Sequence, residues 1–141
     1  MEQTTTEKLM ERLRSADSFD DFLTDAQEKQ SVPDGKEYFD YLFSSRDTVK
    51  ADIIKKSQLD QYYAYQIFRG EKTPSRDKAL LLAFAFAMDV KDAQMLLYIC
   101  HCEKLYIKNK RDSVILYALE KRLSIYQVDD LLRDMGEEAL L

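Results

Sequence analysis

Glycine and proline together supply only five of the 141 residues. A β-rich chain of this length needs many tight turns, and Gly and Pro are the residues that make most of them. No segment shows sustained alternation of polar and apolar residues, the signature of a strand. Apolar residues recur three and four apart instead. The expected fold class is all-α.

Apolar residues make up 45% and charged residues 33%, the balance of a soluble globular chain of about one domain. Two Cys, one His and no Trp leave little material for a disulfide framework or a zinc cluster. The longest apolar run, residues 79–88, is about half of what a membrane span needs. Residues 1–15 lack the apolar stretch of a secretory signal. A cytoplasmic protein with no membrane association is expected.

Charge divides the chain into three. Residues 1–45 carry 5 basic and 11 acidic residues, and residues 79–141 carry 8 and 10. Between them, residues 46–78 carry 8 basic and 5 acidic residues. The net charge of −5 excludes an overall basic coat for nucleic acid, but the positive middle allows a local patch.

Apolar spacing and cap residues then place the helices. Two short amphipathic helices are expected at residues 6–16 and 18–26, followed by a break at Val32-Pro33-Asp34-Gly35. Tyr38, Phe39, Leu42 and Phe43 form the next apolar stripe, and Val49, Ile53 and Ile54 mark a short helix. Asp60 can cap another helix, with Ala64, Ile67 and Phe68 inward and Gly70 as its stop. Ser75 can cap a helix over residues 76–88 that is apolar nearly all round and should be central. Further helices are expected at 91–100, from Arg111 through Leu119, and from Ser124 to Met135, with Gly136 as the final stop.

A shift of 35 residues superposes Arg76-Asp77 on Arg111-Asp112, Leu81 on Leu116, Ala83 on Ala118 and Leu96-Leu97 on Leu131-Leu132. Either a helix pair is repeated, or two amphipathic pairs of similar length align by coincidence.

The positive middle holds two short helices joined by a tight turn, then a small-residue loop and a buried helix. This stretch, residues 48–97, resembles the lambda-repressor-like (Cro or Xre type) helix-turn-helix family. Lys50 stands where that family has a phosphate-contacting Gln, and Leu59 stands as the turn residue in Gln58-Leu59-Asp60. Residues 60–69 resemble the recognition helix. The family ending follows as Arg69-Gly70-Glu71-Lys72-Thr73-Pro74-Ser75. More loosely, Tyr65-Gln66-Ile67-Phe68, Pro74-Ser75-Arg76-Asp77-Lys78, Leu105-Tyr106 and Arg111-Asp112 resemble a bacterial helix-turn-helix subfamily with added N- and C-terminal helices. The resemblance implies acidic N-terminal helices at residues 1–35, a helix-turn-helix domain at 36–102 and a C-terminal helix pair at 103–141 packed on it. It also implies a transcriptional regulator that binds double-stranded DNA, often as a homodimer.

The major groove admits one helix, whose early side chains reach base edges. Here those are Gln61, Tyr62, Tyr65 and Gln66. Gln can pair with adenine, and Tyr can touch a thymine methyl or a phosphate. Lys50, Arg69 and Lys72 would flank the groove on phosphates, with Arg46, Lys55 and Lys56 adding to the field. Tyr62, Tyr63 and Tyr65 support a second reading. An aromatic-rich helix suits a protein interface, so the chain could be a protein-interaction adaptor on the same fold.

No enzyme is expected. His101 is the sole histidine, and no nucleophile elbow or Gly-rich phosphate loop is present. Cys100-His101-Cys102 are too close in sequence to aim at one ion, so no metal or other cofactor is expected. Residues 104–111 form a basic loop with aromatic interleaving. It offers a second phosphate contact or an acidic-partner site, or else a solvated connection with Leu105 and Tyr106 packed inward.

Overall fold

The computed structural model describes residues 34–141, in which seven helices form and no strand does. They are α1 (Gly35–Ser45), α2 (Lys50–Ser57), α3 (Gln61–Phe68), α4 (Arg76–Ala85), α5 (Val90–Ile99), α6 (Lys110–Glu120) and α7 (Ile125–Asp134). The helices expected at 6–16 and 18–26 lie outside the described residues. Among the described residues, no helix is long and apolar enough to cross a membrane.

Five of the seven helices begin where a side chain satisfies one of the first free N–H groups. Asp34 accepts from the Glu37 N–H at 2.8 Å, Asp60 from Tyr63 at 2.9 Å and Asp89 from Asp92 at 2.8 Å. Ser124 and Gln127 form a reciprocal capping box on α7. Ser75 holds the cap position of α4 but makes no side-chain capping bond.

Helix α4 is the centre of the molecule. Every residue from Ala79 to Ala85 is buried, and α4 packs against α2, α5 and α7. Such a helix has no polar face to give to water, so its neighbours must surround it. It ends at Ala85, three residues before the end expected from its apolar run. Ala87 takes the left-handed conformation at φ 54°, and the N–H groups of Ala87 and Met88 turn back to Phe84 and Ala83. The residue is not a glycine, so composition gave no sign of the stop.

An aromatic column ties the N-terminal side together. The Phe39 and Phe43 rings lie 5.2 and 4.9 Å from Phe68, and Phe43 lies 5.3 Å from Phe86. These contacts seat α1 on α3 and on the end of α4. Arg46, just past α1, pairs with Asp92 of α5 and donates to the Phe86 carbonyl.

The 35-residue shift is realised in detail. Helices α5 and α7 have identical bounds under the shift, and the left-handed residues Ala87 and His101 fall on Arg122 and Gly136. Arg76 donates to the carbonyls of Glu103 and Lys104, and Arg111 donates to those of Glu138 and Ala139. Gln94 clamps the Leu105 backbone, and Asp129 takes the N–H of Leu140. Coincidental alignment of helices does not reproduce long-range hydrogen bonds at the same offset. Residues 76–105 and 111–140 are two copies of one structural unit.

The two units are cross-braced. Arg76 of the first grips Asp112 of the second through two bonds of 2.9 Å, and Arg111 of the second grips Asp77 of the first at 2.9 and 3.0 Å. Contacts from i to j and from j to i are the mark of a two-fold interface, here within one chain. Burial pushes the Asp112 carboxyl up, but bonds from Arg76 and from the Tyr106 N–H outweigh it and hold Asp112 below its ordinary value.

Candidate nucleic-acid interface

The candidate interface comprises α2, α3 and the three residues between them. Val49 starts α2 without a capping bond, is 60% exposed, and takes no part in the core stripe expected of it. Ile53, Ile54 and Ser57 turn inward. Ser57 Oγ donates to the Ile54 carbonyl at 2.8 Å and accepts from the Leu59 N–H at 3.3 Å. Gln58 takes φ 62°, a left-handed residue that reverses the chain at no cost in length. Leu59 is half-buried against the core, and Asp60 caps α3. Two eight-residue helices thus join through Gln58-Leu59-Asp60, where the sequence placed the turn.

Within α3, Ala64, Ile67 and Phe68 are buried. Gln61, Tyr62, Tyr65 and Gln66 occupy the opposite arc, about 140° wide at 100° per residue. Gln61 and Tyr62 are exposed, Tyr62 at 70%. Tyr65 and Gln66 are half-buried, Tyr65 edge-on to Phe68 with centroids 6.5 Å apart. Tyr63 is half-buried on the other side, with the Lys78 ammonium 4.4 Å from its ring centre. The three tyrosines therefore do not share one face.

Helix α3 stops at a left-handed Gly70, φ 76°. A Cβ there would come within 3.2 Å of the Lys36 Cβ, so α1 crowds this turn as well. The Gln66 carbonyl accepts the N–H groups of Glu71 and Lys72 at 2.9 and 3.2 Å, which fixes the start of the following loop.

The basic residues of the middle segment separate into two groups. All three arginines are held by carboxylates: Arg46 by Asp92, Arg69 by Glu71 at 3.0 and 3.2 Å, and Arg76 by Asp112. Lys50, Lys55, Lys56, Lys72 and Lys78 have no carboxylate partner among the described residues. Lys50 is half-buried at the first turn of α2, and Lys72 is exposed beyond Gly70. Of the residues expected on phosphates, Lys50 and Lys72 keep their charge available, and the Arg69 guanidinium is engaged by its neighbour. Lys78 was not among the expected contacts. Its place over Tyr63 depends on how α4 crosses α3, which no local pattern encodes.

The remaining sequence features resolve simply. Burial pushes the Cys100 thiol up to about 12, an inert thiol. His101 is exposed with φ 59°, and Cys102 Sγ faces the Pro74 carbonyl at 3.9 Å. Among the described residues no cluster of His, Cys, Asp or Glu could hold a metal ion. In the basic loop Leu105 packs inward, but Tyr106 is 54% exposed, contrary to its expected packing.

Comparison of the chain with protein-family models, with curated proteins and with solved structures finds no match.

Proposed function

We propose that the chain is a sequence-specific DNA-binding transcriptional regulator, with α2 and α3 as a helix-turn-helix of the lambda-repressor-like type. The observation that carries this reading is the arc of Gln61, Tyr62, Tyr65 and Gln66 on α3, accompanied by lysines that no carboxylate neutralises. In the major groove, Gln61 and Gln66 supply amide groups for base edges, and Tyr62 and Tyr65 supply apolar or phosphate contacts. Lys50 and Lys72 neutralise phosphates on either side. A homodimer on two half-sites would raise affinity and specificity.

The test is fluorescence-polarisation binding to a random duplex pool at two salt concentrations, followed by selection of the bound sequences. Salt-sensitive binding with an enriched motif is expected. Gln66→Ala should then lose about 1–3 kcal/mol and relax preference at one base pair. Lys72→Ala should weaken all sequences alike and lower the salt slope by about one. Absence of binding at low salt overturns the reading.

Tyr62, at 70% exposure, favours the second reading, a protein-interaction adaptor on the same fold. Tyr63 and Tyr65 add less to that face than the sequence suggests, because each is half-buried. An adaptor should hold DNA weakly even at low salt and lose its protein partner on Tyr62→Ala.

A further inference from the structure

Helices α2 and α7 both pack on α4, and an open groove of about 540 Å³ lies between them. Its floor is apolar, from Phe84 and Ala85 of α4 and Ile125 of α7. Tyr126, 60% exposed, forms one wall. Lys55 and Lys56, in the last turn of α2, form the other, with Asp52 one turn away.

We propose that this groove binds a small amphipathic anion, a carboxylate or sulfonate carried on an aromatic or aliphatic body. The size falls in the range of small-molecule sites, which bury an apolar body and orient it through a few polar groups. The charge is complementary. Neither lysine has a carboxylate partner among the described residues, and Asp52 offsets only one of the two charges. Both lysines also relieve the negative end of the α2 dipole, but that role needs no apolar floor beside them. The exposed Tyr126 ring opposite two cations is an arrangement that an aromatic anion completes on both sides. This site does not depend on the DNA-binding reading. It shares α2 with that reading, since the helix that begins at Lys50 ends at the groove.

The experiment uses the full chain and 8-anilinonaphthalene-1-sulfonate, an aromatic anion that fluoresces when removed from water. The uncharged dye N-phenyl-1-naphthylamine serves as control, and decanoate as competitor. One saturable site is expected, with the sulfonate displaced by decanoate. Lys55→Gln with Lys56→Gln should weaken the sulfonate about fivefold or more and change the neutral dye by less than about twofold. Tyr126→Ala, at an exposed position that leaves the core intact, should weaken both dyes. Circular dichroism confirms that each variant keeps its helices. Three results would each overturn the proposal: no saturable site, sulfonate binding unchanged in the double lysine variant, or equal loss of both dyes on removing the charges.

Discussion

At the scale of single residues, arginine and lysine divide the labour. The planar fork of arginine suits bidentate bonds, and Arg76 and Arg111 use it to reach a carboxylate and two carbonyls each. Asp112 is the more deeply held of the two carboxylates, its side chain 9% exposed against 37% for Asp77. Asp112→Asn should therefore cost about 2–4 kcal/mol in urea denaturation, because it leaves Arg76 part-buried without its anion. Asp77→Asn should cost about 1 kcal/mol, nearer to an exposed pair. The folded value of Asp112 lies below its unfolded value, so the stability it contributes is present above the ordinary carboxylate range and disappears as pH falls through the folded value. Wild type should lose stability over that acid window, and Asp112→Asn should lose less there. The sequence showed both Arg-Asp dipeptides and their spacing. It could not show that each Arg skips its neighbouring Asp for the one in the other unit. That choice is made by how the units dock.

At the scale of the element, most starts were legible and some stops were not. Asp60 and Ser124 announce helices, because an N-cap needs a specific side chain. The expected cap Ser75 makes no such bond, and Asp89 caps α5 so that it starts at Val90, one residue before the expected start. Gly70 and Gly136 announce stops. Ala87, His101 and Arg122 take the same left-handed conformation without the residue that favours it, and at Ala87 this ends α4 three residues short of Met88. His101 and Gly136 are the same position in the two units, which makes them a matched pair for measurement. His101→Gly should stabilise the chain by about 0.5–1 kcal/mol, and Gly136→Ala, with open space around its Cβ, should destabilise it by about 1 kcal/mol through backbone strain alone. Thermal denaturation of the two variants, with opposite shifts in Tm, checks both. The candidate interface depends on one cap above all. Asp60→Ala should cost about 0.5–2 kcal/mol, with the loss of hydrogen-exchange protection concentrated in the first turn of α3, where Gln61 and Tyr62 sit.

At the scale of the whole molecule, the two units share a plan and differ in what covers them. The first unit is enclosed by α2 and the aromatic column, so Leu82, Ala85 and Phe86 are buried. Their counterparts in the second unit are Tyr117, Glu120 and Lys121, all exposed. The second unit has become a polar outer end, and its inner side keeps Ile115, Ala118, Val128 and Leu132 fully buried. This explains why the repeat was only half visible in the sequence. Positions that face the other unit stayed apolar, while outward positions changed to suit water. Helix α4 meets α2 on one side and α7 on another, so the core runs unbroken from the candidate interface to the C-terminal helix. A perturbation deep in the second unit must then be felt at α3 if the chain unfolds as one. Leu132→Ala opens a cavity at a site with no exposure and should cost about 2–5 kcal/mol. Native-state hydrogen exchange would show whether the slowest amides of α3 and α4 lose the same free energy as those of α7. Equal loss across the three helices means that the repeated units and the two-helix motif form a single cooperative structure. Loss confined to α6 and α7 means that the reciprocal Arg-Asp braces join two parts that open independently.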